Sequence, residues 1–159
     1  MLNYIAALLA PSTKDFLSHL FTMESDMVIC SLNVKGLSNN TKQRATFLWL
    51  KKKKCSIYFL PEVIQCSTNE TESYWHSEWE YSTIFTTFSS SRAGVAILFN
   101  NNFQFQILKH FADPGGRFII ADIDTGDKIM KLVNVYAPNE DNRAFFRNVH
   151  DKSLVATSF

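Results

Sequence analysis

Three polar residues stand where apolar, strand-like segments of the chain end. Asn33 and Glu62 each follow a short apolar run, and Tyr136 closes the longer segment 128–136. Strand ends carry much of the chemistry of α/β proteins, because the scaffold is rigid there and the loop beyond is free to vary. Amide, carboxylate and phenol groups delivered in this way can face a metal ion or a phosphate group. The pattern predicts a partial active site.

Each of these residues also has an ordinary structural explanation. An isolated glutamate after an apolar strand, such as Glu62, is most often a surface residue, and an asparagine such as Asn33 is most often a turn residue. Tyr136 could be a buried strand aromatic. Asn139 could reach a nucleic-acid phosphate, or it could cap the last helix of the chain. The residue types alone leave these alternatives open.

Six segments in a fixed order carry a family resemblance. They are Ile29–Leu37, a Lys- and Arg-containing helix after it, Leu60–Glu62, Gly94–Leu98, Gly116–Ile119 and Asn134–Asn139. The chain resembles the endonuclease/exonuclease/phosphatase superfamily, which includes deoxyribonuclease I and the abasic-site repair endonucleases. Within it, the chain resembles most the apurinic-type endonuclease domain of non-LTR (LINE-type) retrotransposons. The resemblance covers about residues 27–149, and the order of its segments makes it specific.

The resemblance implies a function and a role for each candidate residue. It implies an endonuclease that hydrolyses phosphodiester bonds in DNA and depends on Mg²⁺ or Mn²⁺. Glu62 would be the metal ligand, because its context matches the family's metal-binding motif. Asn33 would support the metal or bind phosphate, and Tyr136 would stabilise the phosphate in the transition state. Asn139 would bind a phosphate of the substrate.

The fold class follows from the order of elements and from the resemblance. Strands outnumber helices and hairpins dominate the middle of the chain. This predicts an α/β (α+β) protein with mixed or antiparallel sheets and helices outside them. The resemblance implies an incomplete four-layer α/β/β/α sandwich of two packed mixed sheets, deoxyribonuclease I-like. Only one or two strands of the second sheet are expected here, so we expect an open apolar inner face.

Two departures from the family pattern bear on activity. The family's Leu-Gln-Glu-Thr-His motif reads Leu60-Pro61-Glu62-Val63-Ile64 here, so groups that could hydrogen-bond the metal site are replaced. The Gly-Asp-x-Asn and Ser-Asp-His motifs of the family's second half have no counterpart in the 159 residues. We therefore expect a truncated, inactive chain that keeps half of a site.

Three functions from different classes are consistent with these observations. The first is a retrotransposon-type DNA endonuclease, and the second is a non-catalytic remnant of a transposon open reading frame. The third is a related phosphoesterase that acts on lipids, inositol phosphates or RNA. The segments Gly116–Phe118 and Asn134–Asn139 favour the nucleic-acid branch over the third. The first two differ only in whether a downstream half exists.

Composition limits the kind of partner. The net charge is +1, so the chain lacks a global basic signature of nucleic-acid binding, and DNA affinity must come from a local patch. Cys30, Cys55 and Cys66 lack CxxC spacing, which predicts reduced thiols in an intracellular protein, cytoplasmic or nuclear. Pro11 interrupts the apolar start of the chain too early for a membrane span, and no membrane association is expected.

Domain boundaries follow from the extent of the resemblance. Residues 1–26 are expected to form a leader of two short amphipathic helices outside the domain, and Met27 is an equally natural start. Residues 27–150 would form the N-terminal half of an endonuclease domain, and residues 151–159 a short tail.

Periodicity and turn residues predict the elements within the domain. Strands are predicted over 27–33, 56–60, 81–88, 94–99, 103–109, 117–124 and 128–136, and helices over 40–54, over 69–79 and after Asn139. Trp75 and Trp79 lie one helical turn apart, and we predict that they pack in the core rather than stack on a base.

Overall fold

The computed structural model describes residues 5–9, 27–63, 69–86, 94–139 and 141–155. Within these ranges the chain forms eight strands and three helices. In chain order they are β1 (Ile5–Leu9), β2 (Ile29–Ser31), α1 (Asn40–Lys53), β3 (Ile57–Pro61), α2 (Asn69–Trp79), β4 (Thr83–Phe85), β5 (Val95–Phe99), β6 (Gln106–Ala112), β7 (Phe118–Asp124), β8 (Ile129–Val135) and α3 (Arg143–Val155). None of these helices is long and apolar enough to cross a membrane.

The strands form two sheets of four strands each. The first sheet has the order β2-β3-β5-β4, and the second has the order β1-β8-β7-β6. In the first sheet β2 is parallel to β3, whereas the other pairs are antiparallel. The second sheet is antiparallel throughout. The expected mixed sheet is confirmed for the first sheet only, and the expectation of one or two strands in the second sheet is wrong, because that sheet has four.

The two sheets pack face to face, and alternate residues of the central strands divide between the two sides. In β3, Ile57 and Phe59 belong to the core between the sheets, whereas Tyr58 and Leu60 belong to the core under the helices. This division follows from the two-residue period of a strand. The core between the sheets is formed by Ile57, Phe59, Ile84, Val95, Ile97, Phe99, Ile119, Ala121, Ile123, Met130, Leu132 and Tyr136. The inner faces of these strands are thus covered, and the expected open inner face is wrong.

Helices cover the outer faces of both sheets. Phe47 and Leu50 of α1 and Trp75 and Trp79 of α2 pack against the first sheet. On the second sheet, Val149 of α3 packs against a cluster of Phe118, Ile120, Val133, Val135 and Ala137. The prediction of a mixed α/β protein with two packed sheets is confirmed. The deoxyribonuclease I-like arrangement stays a prediction.

The tryptophan pair of α2 is structural. Trp75 is 1% exposed and Trp79 is fully buried. The indole N–H of Trp79 donates to the carbonyl oxygen of Phe99 at 3.0 Å, which satisfies its polar atom inside the core. The predicted core role is confirmed, and the predicted bounds of α2 agree with the structure.

Residues 5–9, the described part of the first predicted leader helix, are a strand instead. Residues 5–9 form β1, which pairs antiparallel with β8, so that Ile5 lies opposite Asn134 and Leu9 opposite Met130. The edge of β8 offers unpaired backbone N–H and C=O groups, and pairing with them overrides a local helical pattern. The second predicted leader helix lies outside the described residues.

Three predicted strands differ clearly from the observed ones. The strand predicted over 81–88 spans only Thr83–Phe85 within the described residues. The strand predicted over 27–33 is only three residues long, and it is half-buried because it forms an edge of its sheet. The strand predicted from Phe103 begins at Gln106 instead. Phe105 stacks on Phe99 with ring centroids 4.2 Å apart, so the aromatic residues before β6 pack across the sandwich rather than extend the strand.

The hydroxyl of Tyr58 links α1 to β3 inside the core. It donates to the carbonyl oxygen of Leu50 at 2.7 Å and accepts from the N–H of Cys55 at 2.8 Å. Tyr58→Phe removes both of these buried hydrogen bonds, so we expect the free energy of unfolding to fall by about 1–3 kcal/mol in urea titrations at pH 7. The control is Tyr74→Phe, which removes an exposed hydroxyl 3.3 Å from its acceptor and should cost less than about 0.5 kcal/mol.

The contribution of Tyr58 should also depend on pH. Burial raises the pKa of Tyr58 to about 12 from an ordinary value of 10. Its neutral form is therefore favoured by folding, so its contribution is complete below pH 10 and is lost as the pH rises towards about 12. The stability difference between the wild type and Tyr58→Phe should shrink over that window. A difference that stays constant would contradict this account; other titrating groups are common to both proteins and cancel.

Candidate functional site

The structure brings Asn33 and Glu62 into direct contact. β2 and β3 are parallel neighbours, so their carboxyl ends lie at the same edge of the sheet, and the two residues follow these ends. The side-chain N–H of Asn33 donates to Oε2 of Glu62 at 2.7 Å. A hydrogen bond to a carboxylate is short and strong, so this contact holds the carboxylate in one orientation.

The loop after β2 wraps around the backbone of Glu62. The N–H of Gly36 donates to the carbonyl oxygen of Glu62 at 2.8 Å, and the N–H of Leu37 donates to that of Val63 at 2.6 Å. The N–H of Lys35 donates to Oδ1 of Asn33 at 3.0 Å. Asn33 is therefore held at both ends of its amide, with its donor on the carboxylate and its acceptor on the loop.

Lys42 anchors this loop from the first turn of α1. Its ammonium group donates to the carbonyl oxygens of Val34 at 2.8 Å and Lys35 at 3.1 Å. Helix α1 starts where the sequence predicts, because Oδ1 of Asn39 accepts from the N–H of Lys42. One residue thus couples the start of the helix to the loop that orients Asn33.

Two of the four non-glycine residues with positive φ in the described ranges lie at this contact. Glu62 has φ 60° and Lys35 has φ 48°, both in the left-handed region. Gly36, next to Lys35 in the loop after β2, has φ 86°. A residue with a side chain pays about 1–2 kcal/mol for this conformation, whereas glycine does not. Such strain is often found where a side chain must be aimed at a ligand, which makes Glu62 a functional candidate.

Tyr136 comes off the other sheet. One end of the sandwich is marked by the stacking of Phe105, just before β6, on Phe99 at the end of β5. Strand β8 begins at that same end, because Asp124 pairs with both Gln106 of β6 and Ile129 of β8. Tyr136, which follows β8, therefore lies at the opposite end.

The other end of the sandwich carries the candidate residues. There the side-chain N–H of Asn134 donates to the carbonyl oxygen of Ala96 at 2.8 Å, and Ala96 pairs with Leu60 just before Glu62. Tyr136 therefore leaves the same end of the sandwich as Asn33 and Glu62, but from the facing sheet. Asn33 and Glu62 thus follow neighbouring strands of one sheet, whereas Tyr136 follows a strand of the other.

Arg117 is a residue of this end that sequence reasoning did not single out. Its guanidinium carbon lies 5.1 Å from the centroid of the Tyr136 ring, and its carbonyl oxygen accepts from the N–H of Tyr136 at 2.7 Å. This cation–π contact places a permanent positive charge beside the buried ring. The only sequence signal was its position in the Gly116–Ile119 segment of the resemblance.

Asn139 does not cap the last helix. Helix α3 begins at Arg143, and Oδ1 of Asn142 accepts from the N–H of Phe145 at 2.9 Å. Asn142 is therefore the capping residue, and that explanation for Asn139 is wrong. Asn139 is exposed in the loop after Tyr136, and its binding of phosphate stays a prediction.

The altered residues around Glu62 have structural roles. Pro61 is a buried member of β3 and lies opposite Val95. Val63 is 5% exposed and packs in the core under the helices, and its N–H donates to the carbonyl oxygen of Gly94 at 2.8 Å. Ile64 lies outside the described residues. Val63 is thus a core residue of this fold.

Among the candidate residues, Glu62 supplies the single carboxylate, and binding of magnesium at this site stays a prediction. Mg²⁺ is commonly bound by one or two carboxylates together with substrate phosphates, rather than by a full cage of protein ligands. Asn33 uses Oε2 of Glu62, which leaves Oε1 as the oxygen that would take the cation. In the part of the chain that the structure describes, no group of three or more His, Cys, Asp or Glu residues is placed to hold a metal.

Comparison with known proteins points to a transposon. A protein of Xenopus laevis described as "Transposon TX1 uncharacterized 149 kDa protein" is 29% identical to this chain over 110 residues. The similar region covers 69% of this chain and 8% of that protein, so the chain spans a small part of its relative. No protein-family model matches the chain. The similarity is consistent with an origin in a transposon.

The strain at Glu62 can be measured with two substitutions that both remove the carboxylate. Because φ is positive there, we expect Glu62→Gly to be more stable than Glu62→Ala by about 1 kcal/mol in urea unfolding. The control is Ala45→Gly on an exposed face of α1, where the same exchange should destabilise by about 1 kcal/mol. If the alanine variant at 62 were the more stable of the two, the backbone there would not be strained.

Proposed function

We propose that this chain is the N-terminal half of a retrotransposon-derived, metal-dependent DNA endonuclease. The observation that carries the proposal is the 2.7 Å hydrogen bond between Asn33 and Glu62. The two residues lie 29 positions apart, in two separate segments of the resemblance, and they meet at the edge of one sheet. The similarity to a transposon-encoded protein supports the same origin.

In this proposal each candidate residue has a role in phosphodiester hydrolysis that depends on its position in the site. Glu62 would hold Mg²⁺ or Mn²⁺, and Asn33 would keep its carboxylate aimed. Such an ion, when bound, neutralises charge on the phosphate and stabilises the oxygens that exchange. Tyr136 would donate to the phosphate from the facing sheet, and the charge of Arg117 beside it would favour the anion. Asn139, exposed just beyond, would bind a neighbouring phosphate of the DNA strand.

In this proposal the 159 residues bind a divalent metal ion but do not cut DNA. The groups that would orient the attacking water and accept its proton belong to the Gly-Asp-x-Asn and Ser-Asp-His motifs, which these residues do not contain. A non-catalytic remnant of a transposon reading frame is the second candidate, and the burial of Val63 where the family has a hydrogen-bonding residue favours it. The phosphoesterase alternative gains nothing from the relative, which is a transposon protein.

The first test joins this chain to a downstream half that carries both missing motifs. We expect the chimera to nick supercoiled plasmid in the presence of Mg²⁺ and to stop when the metal is chelated. Glu62→Gln should lower the nicking rate by more than about 100-fold, because a metal ion contributes several kcal/mol of charge stabilisation. The matched control is Glu78→Gln on α2, a glutamate that pairs with Arg44 and should leave the rate within about twofold. A chimera that folds but is insensitive to Glu62→Gln would refute the assignment of the metal ligand.

The second test uses the 159-residue chain alone. We expect no nicking of plasmid DNA with Mg²⁺ or Mn²⁺, because the loss of several catalytic groups leaves little activity. Weak binding of Mn²⁺, observed by electron paramagnetic resonance and lost in Glu62→Gln, separates a retained half-site from an inert remnant. Nicking that disappears in Glu62→Ala would show that the missing half is dispensable.

A further inference from the structure

Two cysteine thiols meet at the start of the strands that carry Asn33 and Glu62. Cys30 lies in β2, and Cys55 lies between α1 and β3. Their sulfur atoms are 2.8 Å apart, and both residues are free thiols. The sulfurs of a disulfide are about 2.05 Å apart, so a shift of less than about 1 Å would complete a bond.

We propose that Cys30 and Cys55 form an intramolecular disulfide when the chain meets a peroxide. The thiol of Cys30 loses its proton, and the thiolate attacks one oxygen of hydrogen peroxide. The O–O bond breaks, a sulfenic acid forms, and the hydroxide that leaves takes up that proton to become the first water. The thiol of Cys55 then attacks that sulfur, the S–O bond breaks, and a second water leaves. The two thiols lose two electrons and two protons, and the peroxide takes them up as two waters.

The surroundings hold both residues in place for this bond. The N–H of Cys55 donates to the hydroxyl of Tyr58, and that hydroxyl donates to the carbonyl oxygen of Leu50. Cys30 lies opposite Tyr58 in the ladder between β2 and β3. Cys55 is thus held by the hydroxyl of Tyr58 and Cys30 by its strand beside β3, and the two thiols need no loop closure to meet.

A metal site explains the pair less well than a disulfide does. Two thiolates on one zinc ion, each about 2.3 Å from the metal in tetrahedral geometry, lie about 3.8 Å apart. The observed 2.8 Å is too short for that arrangement. The described residues also contain no cluster of three metal-binding side chains.

The charged and titratable groups around the pair set its pH dependence. The hydrogen bond to Cys55, and then burial, raise the pKa of Cys30 to about 11, against the opposing charge of Lys53. Tyr58, with a pKa of about 12, stays neutral over most of this range. Because the thiolate is the reactive form, oxidation should be slow at pH 7 and should accelerate about tenfold per pH unit up to pH 10.

The bond would secure one of the two short edge strands of the first sheet. β2 has three residues and only one neighbour, β3, whereas β3 has two. A disulfide at this end of the ladder ties the two strands together, while their opposite ends carry Asn33 and Glu62. The inference stands apart from the proposed endonuclease function, because it concerns the chain with or without a downstream half.

The test is to treat the reduced 159-residue protein with hydrogen peroxide and map the product by mass spectrometry. Cleavage with trypsin and a glutamate-specific protease leaves Cys30 on residues 25–35, Cys55 on 55–62 and Cys66 on 63–70. We expect a linked pair of the first two peptides that dithiothreitol separates. The link should form equally in Cys66→Ser and be absent in Cys30→Ser and Cys55→Ser. Closing this loop should raise the melting temperature by about 5–10 °C.

Several results would overturn the proposal. One is oxidation of Cys30 and Cys55 to sulfinic acids without a link between them. Another is a link that joins either of them to Cys66 or to a second molecule. A rate of linking that does not change between pH 7 and pH 10 would overturn Cys30 as the attacking thiol. The wild-type map decides these points even if a serine variant fails to fold.

Discussion

The burial of β3 on both faces is the constraint on which the rest of the structure depends. All five of its residues are buried, with one set packed against the second sheet and the other against α1 and α2. A strand with two apolar faces cannot be stable unless both are covered, so β3 requires a helical layer on one side and a sheet on the other. Its neighbour β5 has the same character. Glu62 is held at the end of this doubly covered strand, which makes it a rigid point from which to aim a side chain.

One buried amide fixes how the two sheets are placed over each other. Asn134 is 3% exposed, and its side chain crosses to the carbonyl oxygen of Ala96 in the other sheet. Apolar contacts between sheets tolerate sliding, whereas a hydrogen bond in a dry core does not, because an unpaired amide there costs free energy. A slip of β8 by one residue would turn Asn134 to the outer face. Asn134, which is not itself a candidate site residue, thus helps to set the position of Tyr136 relative to Glu62.

The sequence was informative where a pattern is local and less so where partners are distant. The sequence alone predicts the strands β3, β5, β7 and β8 from their apolar runs, and the start of α1 from the cap at Asn39. These signals are local, because burial patterns and capping depend on residues close in the chain. Membership of Tyr136 in the second sheet depends on how hairpins fold over each other, which no local pattern encodes. β1 was missed because its partner lies more than a hundred residues away. Asn139 and Asn142 are chemically equivalent caps, and only the path of the loop after Tyr136 decides between them.

The pairing of β1 with β8 determines which strand forms the rim of the second sheet. Met27 is the next methionine after Met23, and it stands directly before the segment that leads into β2. A polypeptide begun there would lack residues 5–9, and β8 would become the rim of its sheet, with backbone donors and acceptors from Met130 to Asn134 open to solvent. Such a rim recruits other strands, including those of identical chains. With residues 5–9 in place, β1 is the rim instead, and the backbone of Met130 to Asn134 is paired.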